Sequence, residues 1–218
     1  MNFFGHGCLA AETRPDAAFV VGAMLPDLAA MAGLRVTGVA HAAADDGRRF
    51  HYATDAAFHR AAGFGELSAR AAQELLDAGV RRGPARAIAH VGVELLLDGW
   101  LAEVHGVPAA YDAALALGPR LAGAIAFHAA GAAGLLEVCE RVASAPHAHA
   151  AWCEPARLGS RLARILGPRP LLALERSELP AVTAWAAAAR GEVARAAPAL
   201  LAEVRAALSY GASREEAR

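Results

Sequence analysis

Cysteine is scarce in this chain. Cys8, Cys139 and Cys153 are odd in number, widely spaced and form no Cys-x-x-Cys pair. That excludes a disulfide framework or a thiolate zinc cluster and fits a reducing compartment. Long hydrophobic runs are missing too. The longest early apolar stretch, Ala17 to Leu25, is closed by Pro26 and Asp27, well short of the roughly 20 residues a bilayer span needs. No basic segment precedes the apolar residues of Met1-Asn2-Phe3-Phe4-Gly5-His6, so the expected location is cytoplasmic, without a membrane span. Nor does one sign of charge dominate. A formal net charge of −1 offers no basic face for nucleic acid, which is excluded as a partner class.

What the chain does have is alanine. The hydrophobic fraction is 56%, much of it alanine, which favours helix and adds little to membrane affinity. Helical signals recur over Thr54 to Arg60, Gly65 to Ala78 and Pro84 to Val104, with Pro84 suited to a first turn and Gly106-Val107-Pro108 to a stop. Gly33 to Gly47, with three glycines and Asp45-Asp46, reads as a loop between helices. In the second half, helical runs alternate with breaks at Gly118-Pro119, Ala145-Pro146, Gly167-Pro168 and Pro180. The last run, Glu192 to Leu208, carries one amphipathic face through Val193, Ala197, Leu200, Leu201, Val204 and Leu208. No alternating strand pattern and no fixed repeat period stand out. The expected fold is all-α, a single compact multi-helix bundle over residues 1–218. Residues 1–105 carry the chemistry and 106–218 the packing.

Two polar stripes stand out. His90, Glu94 and Asp98 recur at i, i+4 and i+8 in a segment otherwise made of Val91, Val93, Leu95, Leu96, Leu97 and Trp100. Each four-residue step turns about 400°, so the three share one side of the helix, and ionisable groups among so many apolar neighbours need partners or a metal. His51, Asp55 and His59 repeat the spacing. Imidazole nitrogen with carboxylate oxygen suits zinc, manganese or iron while leaving positions for water and phosphate, and facing helices can build such a site. The bland alternatives are a His–Glu hydrogen bond in the first stripe and a solvated helix face in the second, where Thr54 and Arg60 lie nearby. Two earlier residues, His6 and Asp27, could face the same cavity. A lone buried histidine is more often a satisfied core residue, and an aspartate after Leu-Pro more often a helix cap. Pro146-His147-Ala148-His149 reads as an exposed loop, with no carboxylate close by in sequence.

With these residues in order, the chain resembles the acyl carrier protein phosphodiesterases, a divergent branch of the HD-type metal-dependent phosphohydrolases. That family opens with Met-Asn-Phe-x-x-His, as Met1 to His6 does here. It continues with Gly-x-x-x-x-Asp, a His-x-x-x-Asp helix and an Asp-x-x-x-Asp-His helix, to which Gly22 through Asp27, His51/Asp55 and Glu94/Asp98 look similar. The resemblance covers roughly residues 1 to 105 and rests on motif order. It implies an HD-like helical fold. Gly99 stands where the family has a histidine, Glu94 replaces an Asp, and His59 takes a usual Asp position, which separates this chain from the family's own substrate. Gly38-Val39 with His41 and Asp46 offers another alignment of the His-x-x-x-Asp segment, and the spacing of His51 and Asp55 is preferred. His90 has no counterpart in the family pattern and extends its stripe by one turn.

The expectation is a metal-dependent phosphohydrolase or phosphodiesterase. His6, Asp27, His51, His90, Glu94 and Asp98 are the expected ligands of one or two divalent cations (manganese, zinc or iron), with Asp55 and His59 left to orient water or substrate. The expected partner is a small-molecule or carrier-protein-linked phosphoester substrate. Another metal-dependent hydrolase, zinc phospholipase-like or amidohydrolytic, fits the same ligands. A non-catalytic helical protein with buried polar networks fits the alanine-rich second half.

Overall fold

The computed structural model describes residues 1–128, 132–144 and 154–216, with side chains to residue 209. Among the described residues the fold is all-α: nine α-helices and one small two-stranded sheet. They run α1 (Phe3–Thr13), α2 (Ala17–Met31), β1 (Val36–Val39), α3 (Ala42–Arg60), α4 (Ala62–Asp77), α5 (Arg82–His105), α6 (Ala109–Leu121), β2 (Ile125–Phe127), α7 (Ala133–Ala143), α8 (Pro155–Leu166) and α9 (Leu179–Glu216). No helix among them is long and apolar enough to cross a membrane. Two compact units are present, each assembled from two separated stretches: residues 1–55 with 104–148, and residues 56–103 with 149–218.

In the first unit α2 is the central element, packed by α1, α6 and α7. Asp16 caps its start by accepting the Phe19 N–H at 2.8 Å. From Ala18 to Leu25 every residue is buried, as an apolar run without a polar face demands. Pro26 closes the apolar run of the sequence but does not end this helix. The proline lacks the N–H that would bond Gly22, but apolar burial on both sides of it, through Leu25, Leu28 and Ala29, outweighs that local loss and the helix runs on to Met31.

The expected loop over Gly33 to Gly47 is also corrected. Val36–Val39 pairs antiparallel with Ile125–Phe127, with an irregularity between Val36 and Gly38, and α3 already begins at Ala42. Asp45 sits in the first helical turn, where its charge is favourable, and is held by Arg48 and Arg49, each at 2.7 Å. Gly47 lies within α3 because a side chain there would strike the helix across from it. A Cβ at Gly47 would collide with the Phe19 carbonyl and lie 2.9 Å from Ala23 N, while a Cβ at Gly22 would collide with Ala44. The α2 and α3 backbones meet at a crossing only glycine permits.

In the second unit α9 packs on α4 and α8. Val193, Ala197, Leu200, Leu201 and Val204 are buried along it, as the amphipathic pattern required. The start of α4 has no side-chain cap of its own at Ala61. Glu203 supplies one from α9, its Oε2 accepting the Ala62 N–H at 2.9 Å. Ahead of α5, Glu178 is buried and accepts from the Arg81 backbone at 2.8 Å, from Arg81 Nε at 3.1 Å and from Arg81 Nη2 at 2.9 Å. Arg81 holds the Glu178 carboxyl down at about 2. At its other end α5 stops at Gly106, whose φ of 72° suits a left-handed terminus. Gly167 follows α8 as expected. Pro119 instead lies inside α6, and Pro180 is the second residue of α9, where its missing N–H is one the first turn leaves unbonded anyway. The expected break at Ala145-Pro146, the His147 and His149 tract and Cys153 lie outside the described residues.

Candidate metal centres

The α2–α3 crossing positions the first cluster. His6 comes from α1, Asp27 from the last turns of α2 and His51 from the middle of α3, and one ligand atom of each lies within 4.8 Å of the others. His6 is fully buried, His51 nearly so and Asp27 half-buried. The two imidazoles lie against one another with ring centroids 4.0 Å apart.

Hydrogen bonds fix which nitrogen of each ring carries the hydrogen. His51 Nδ1 is 2.8 Å from the Ala23 carbonyl oxygen. A carbonyl only accepts, so Nδ1 donates and Nε2 keeps its lone pair. His6 Nδ1 is 2.7 Å from Thr54 Oγ1. That hydroxyl has one hydrogen, directed to the carbonyl of Phe50 at 3.0 Å or His51 at 2.8 Å, so it accepts from His6 and again leaves the lone pair on Nε2. An acceptor for the Nδ1 hydrogen, with the lone pair on Nε2, is how metal-binding histidines are oriented. Burial pushes the His51 pKa down, against the Ala23 hydrogen bond, which raises it, and so favours the neutral ring a metal requires. Asp55, one turn beyond His51, has a half-exposed side chain with Oδ1 3.9 Å from His6 Nε2.

The second cluster shares no residue with the first. His59, at the end of α3, meets His90 and Glu94 on α5. His59 Nε2 lies 3.2 Å from His90 Nε2 and 3.3 Å from Glu94 Oε1, and His90 Nε2 lies 3.2 Å from the same oxygen. The two rings are parallel within 9°, and Phe64 sets its edge against both. Glu94 is 9% exposed, whereas both histidines reach solvent. Burial works against the Glu94 charge, but nearby positive charge and the hydrogen bonds with His59 and His90 outweigh it and hold the carboxyl well below its usual range.

The structure thus sorts the expected site residues. His6, Asp27 and His51 come together, with Asp55 beside them. His90 and Glu94 come together with His59. Asp98 is fully buried on α5 and belongs to neither group. The alternative pair lies elsewhere: His41 Nδ1 faces the Ala44 N–H at 3.4 Å at the start of α3, and exposed Asp46 pairs with Arg14 at 3.4 Å. Thr54 went unrecognised as a partner of His6. Its polarity suggested a solvated face, yet it is fully buried, and its only sequence signal is its place three residues after His51.

A closed apolar cavity in the first unit, lined by Val21, Leu25, Leu135 and Cys139 among others, has a volume of about 10 Å³, enough for one water at most. In the second unit an open groove of about 250 Å³ is lined by Glu66, Arg70, Glu192 and Arg195. No family model, curated protein or solved structure matches the chain.

Proposed function

We propose that the protein is a metal-dependent hydrolase of phosphoesters, with its divalent cation held by His6, Asp27 and His51. The observation that carries this reading is the convergence of three residues from three helices, with both imidazoles held through Nδ1 so that each carries its lone pair on Nε2. Two nitrogens and a carboxylate oxygen form the mixed donor set of zinc, manganese or iron hydrolases. Choosing phosphoesters over other substrates rests on the motif order, in which His6, Gly22 to Asp27 and His51/Asp55 resemble the acyl carrier protein phosphodiesterases.

A cation held by His6, Asp27 and His51 would supply a bound water of lowered pKa and neutralise phosphate oxygens. The chain's own residues do the rest. Thr54 and the Ala23 carbonyl keep the two rings from rotating. The α2–α3 crossing keeps Asp27 and His51 in register. Asp55, reaching solvent beside His6, offers Oδ1 to take a proton from attacking water or to orient substrate.

The test is a panel of phosphodiester, carboxylic ester and amide substrates, assayed with manganese, zinc or iron added to the chelator-treated protein. Metal-dependent turnover of phosphodiesters, lost together with metal in folded His51→Ala and Asp27→Asn variants, is the expected result. Turnover of esters or amides alone, or full activity in those variants, overturns the reading.

A further inference from the structure

Three polar atoms that all lie within hydrogen-bonding distance of one another pose a problem that hydrogen bonds cannot solve. At His59 Nε2, His90 Nε2 and Glu94 Oε1 the three separations are 3.2, 3.3 and 3.2 Å. If both nitrogens carry hydrogens, both can donate to the carboxylate, but two N–H groups then face each other across 3.2 Å. If one nitrogen carries no hydrogen, its lone pair faces the lone pairs of Glu94 Oε1. With Glu94 ionised, every placement of protons on the two rings leaves one side of the triangle repulsive. A cation bound by all three atoms removes the conflict, because each then directs a lone pair at a single point.

The size of the triangle identifies the class of cation. Three atoms about 3.2–3.3 Å apart form the face of a tetrahedron whose centre is about 2.0 Å from each, matching zinc–imidazole and zinc–carboxylate bonds of about 2.0–2.2 Å. As the face of an octahedron the same triangle requires about 2.3 Å, longer than zinc bonds and suited to larger cations, calcium among oxygen ligands or manganese; weak cobalt bands would report that geometry instead. The surroundings agree. Glu94 is buried where a charge needs compensation, Phe64 closes one side against both rings, and the histidine side chains are 32% and 46% exposed, which leaves one side open to water.

We propose that His59, His90 and Glu94 form a second metal site, of the zinc class, with three protein ligands and the fourth position open to solvent. His90 and Glu94 supply two ligands one helical turn apart on α5, and His59 supplies the third from α3. This site is independent of the phosphoester reading, since none of its ligands belongs to the His6, Asp27 and His51 cluster.

The test is titration of the full, chelator-treated chain with cobalt(II), a probe whose visible absorption is intense in tetrahedral sites and weak in octahedral ones. The titration is made on the chain carrying His51→Ala, which removes a ligand of the first cluster; this chain is expected to develop the intense bands, and zinc to displace them. Added to that background, His59→Ala and His90→Ala should each abolish the bands or weaken cobalt binding at least about tenfold, with helicity unchanged because both side chains are partly exposed. Glu94→Gln, which keeps the shape and removes the charge, provides a further variant and should also lose them. Absence of intense bands in the His51→Ala chain, or their persistence at full strength when the His59, His90 or Glu94 substitution is added, overturns the proposal. Loss of phosphodiesterase activity in any variant leaves it unaffected, since the readout is the cobalt spectrum.

Discussion

Gly22→Ala adds one methyl group and should disturb both the first unit's stability and its proposed metal centre. A Cβ at this position would lie 2.8 Å from Ala44 Cα and closer still to the Ala44 carbonyl, whereas ordinary carbon contacts need about 3.5–4.0 Å. The obstacle is backbone on both sides, so no side chain can swing away and α2 must part from α3 by at least roughly 0.7–1.2 Å. Overpacking of this kind costs about 1–3 kcal/mol, and a rigid backbone-to-backbone clash belongs at the upper end, about 3 kcal/mol. In a protein of this size that lowers the melting temperature by roughly 6–12 °C. The same separation would stretch the 2.8 Å bond between His51 Nδ1 and the Ala23 carbonyl beyond hydrogen-bonding range. Losing that orienting bond should weaken metal binding about 10–100-fold. Gly65→Ala in α4 is the control. A Cβ there has open space, so removing glycine from a helix should raise stability by about 0.5–1 kcal/mol. Thermal melts followed by circular dichroism and metal titrations on the two variants decide the matter. A Gly22→Ala protein that melts and binds metal like wild type refutes the account of the crossing.

Other perturbations address the second unit and the first centre separately. Glu178→Gln leaves Arg81 without its carboxylate and should cost about 2 kcal/mol, measured by urea denaturation at pH 7. Because the Glu178 carboxyl is depressed to about 2 from 4.5, its stabilisation is fully present above pH 4.5 and is lost as the pH falls towards 2; the Gln variant should show a shallower loss over that window, and an identical acid profile rules out this role. Glu203→Ala removes the cap on Ala62 and should cost roughly 1 kcal/mol, with faster amide exchange confined to the first turn of α4. Thr54→Val should lower affinity at the first centre about 10–100-fold by releasing His6 while leaving cobalt absorption at the His59 cluster intact.

The composition made the fold class legible, because alanine-rich runs punctuated by proline and glycine have few alternatives to packed helices. The long helix α5 was legible to within two residues at each end, since Pro84 and Gly106 act through local backbone geometry. Gly47 and Pro119 misled for one reason. Their local meaning is to break a helix, and their actual setting, inside α3 and α6, is fixed by tertiary packing, which a single sequence does not display. The same distinction applies to the candidate sites. The stripes at i, i+4 and i+8 identified every ionisable side chain in the two clusters except His6 and Asp27, which motif order supplied. Periodicity places residues on a face but does not pair faces, so it could not show that His59 meets His90 and Glu94 while His51 meets His6 and Asp27. The Ala23 carbonyl that orients His51 carries no side-chain signal at all.

The interleaving of the two units sets an order on synthesis. Every residue of the first unit, including His6, Asp27, Thr54 and His51, has been made once translation reaches residue 148. The second unit still awaits α9, whose Glu203 caps a helix that began 141 residues earlier. At about 5–20 residues per second, several seconds separate the two events. The His6, Asp27 and His51 cluster can assemble during that interval, while α4 and α5 are left waiting for the last helix to cover them.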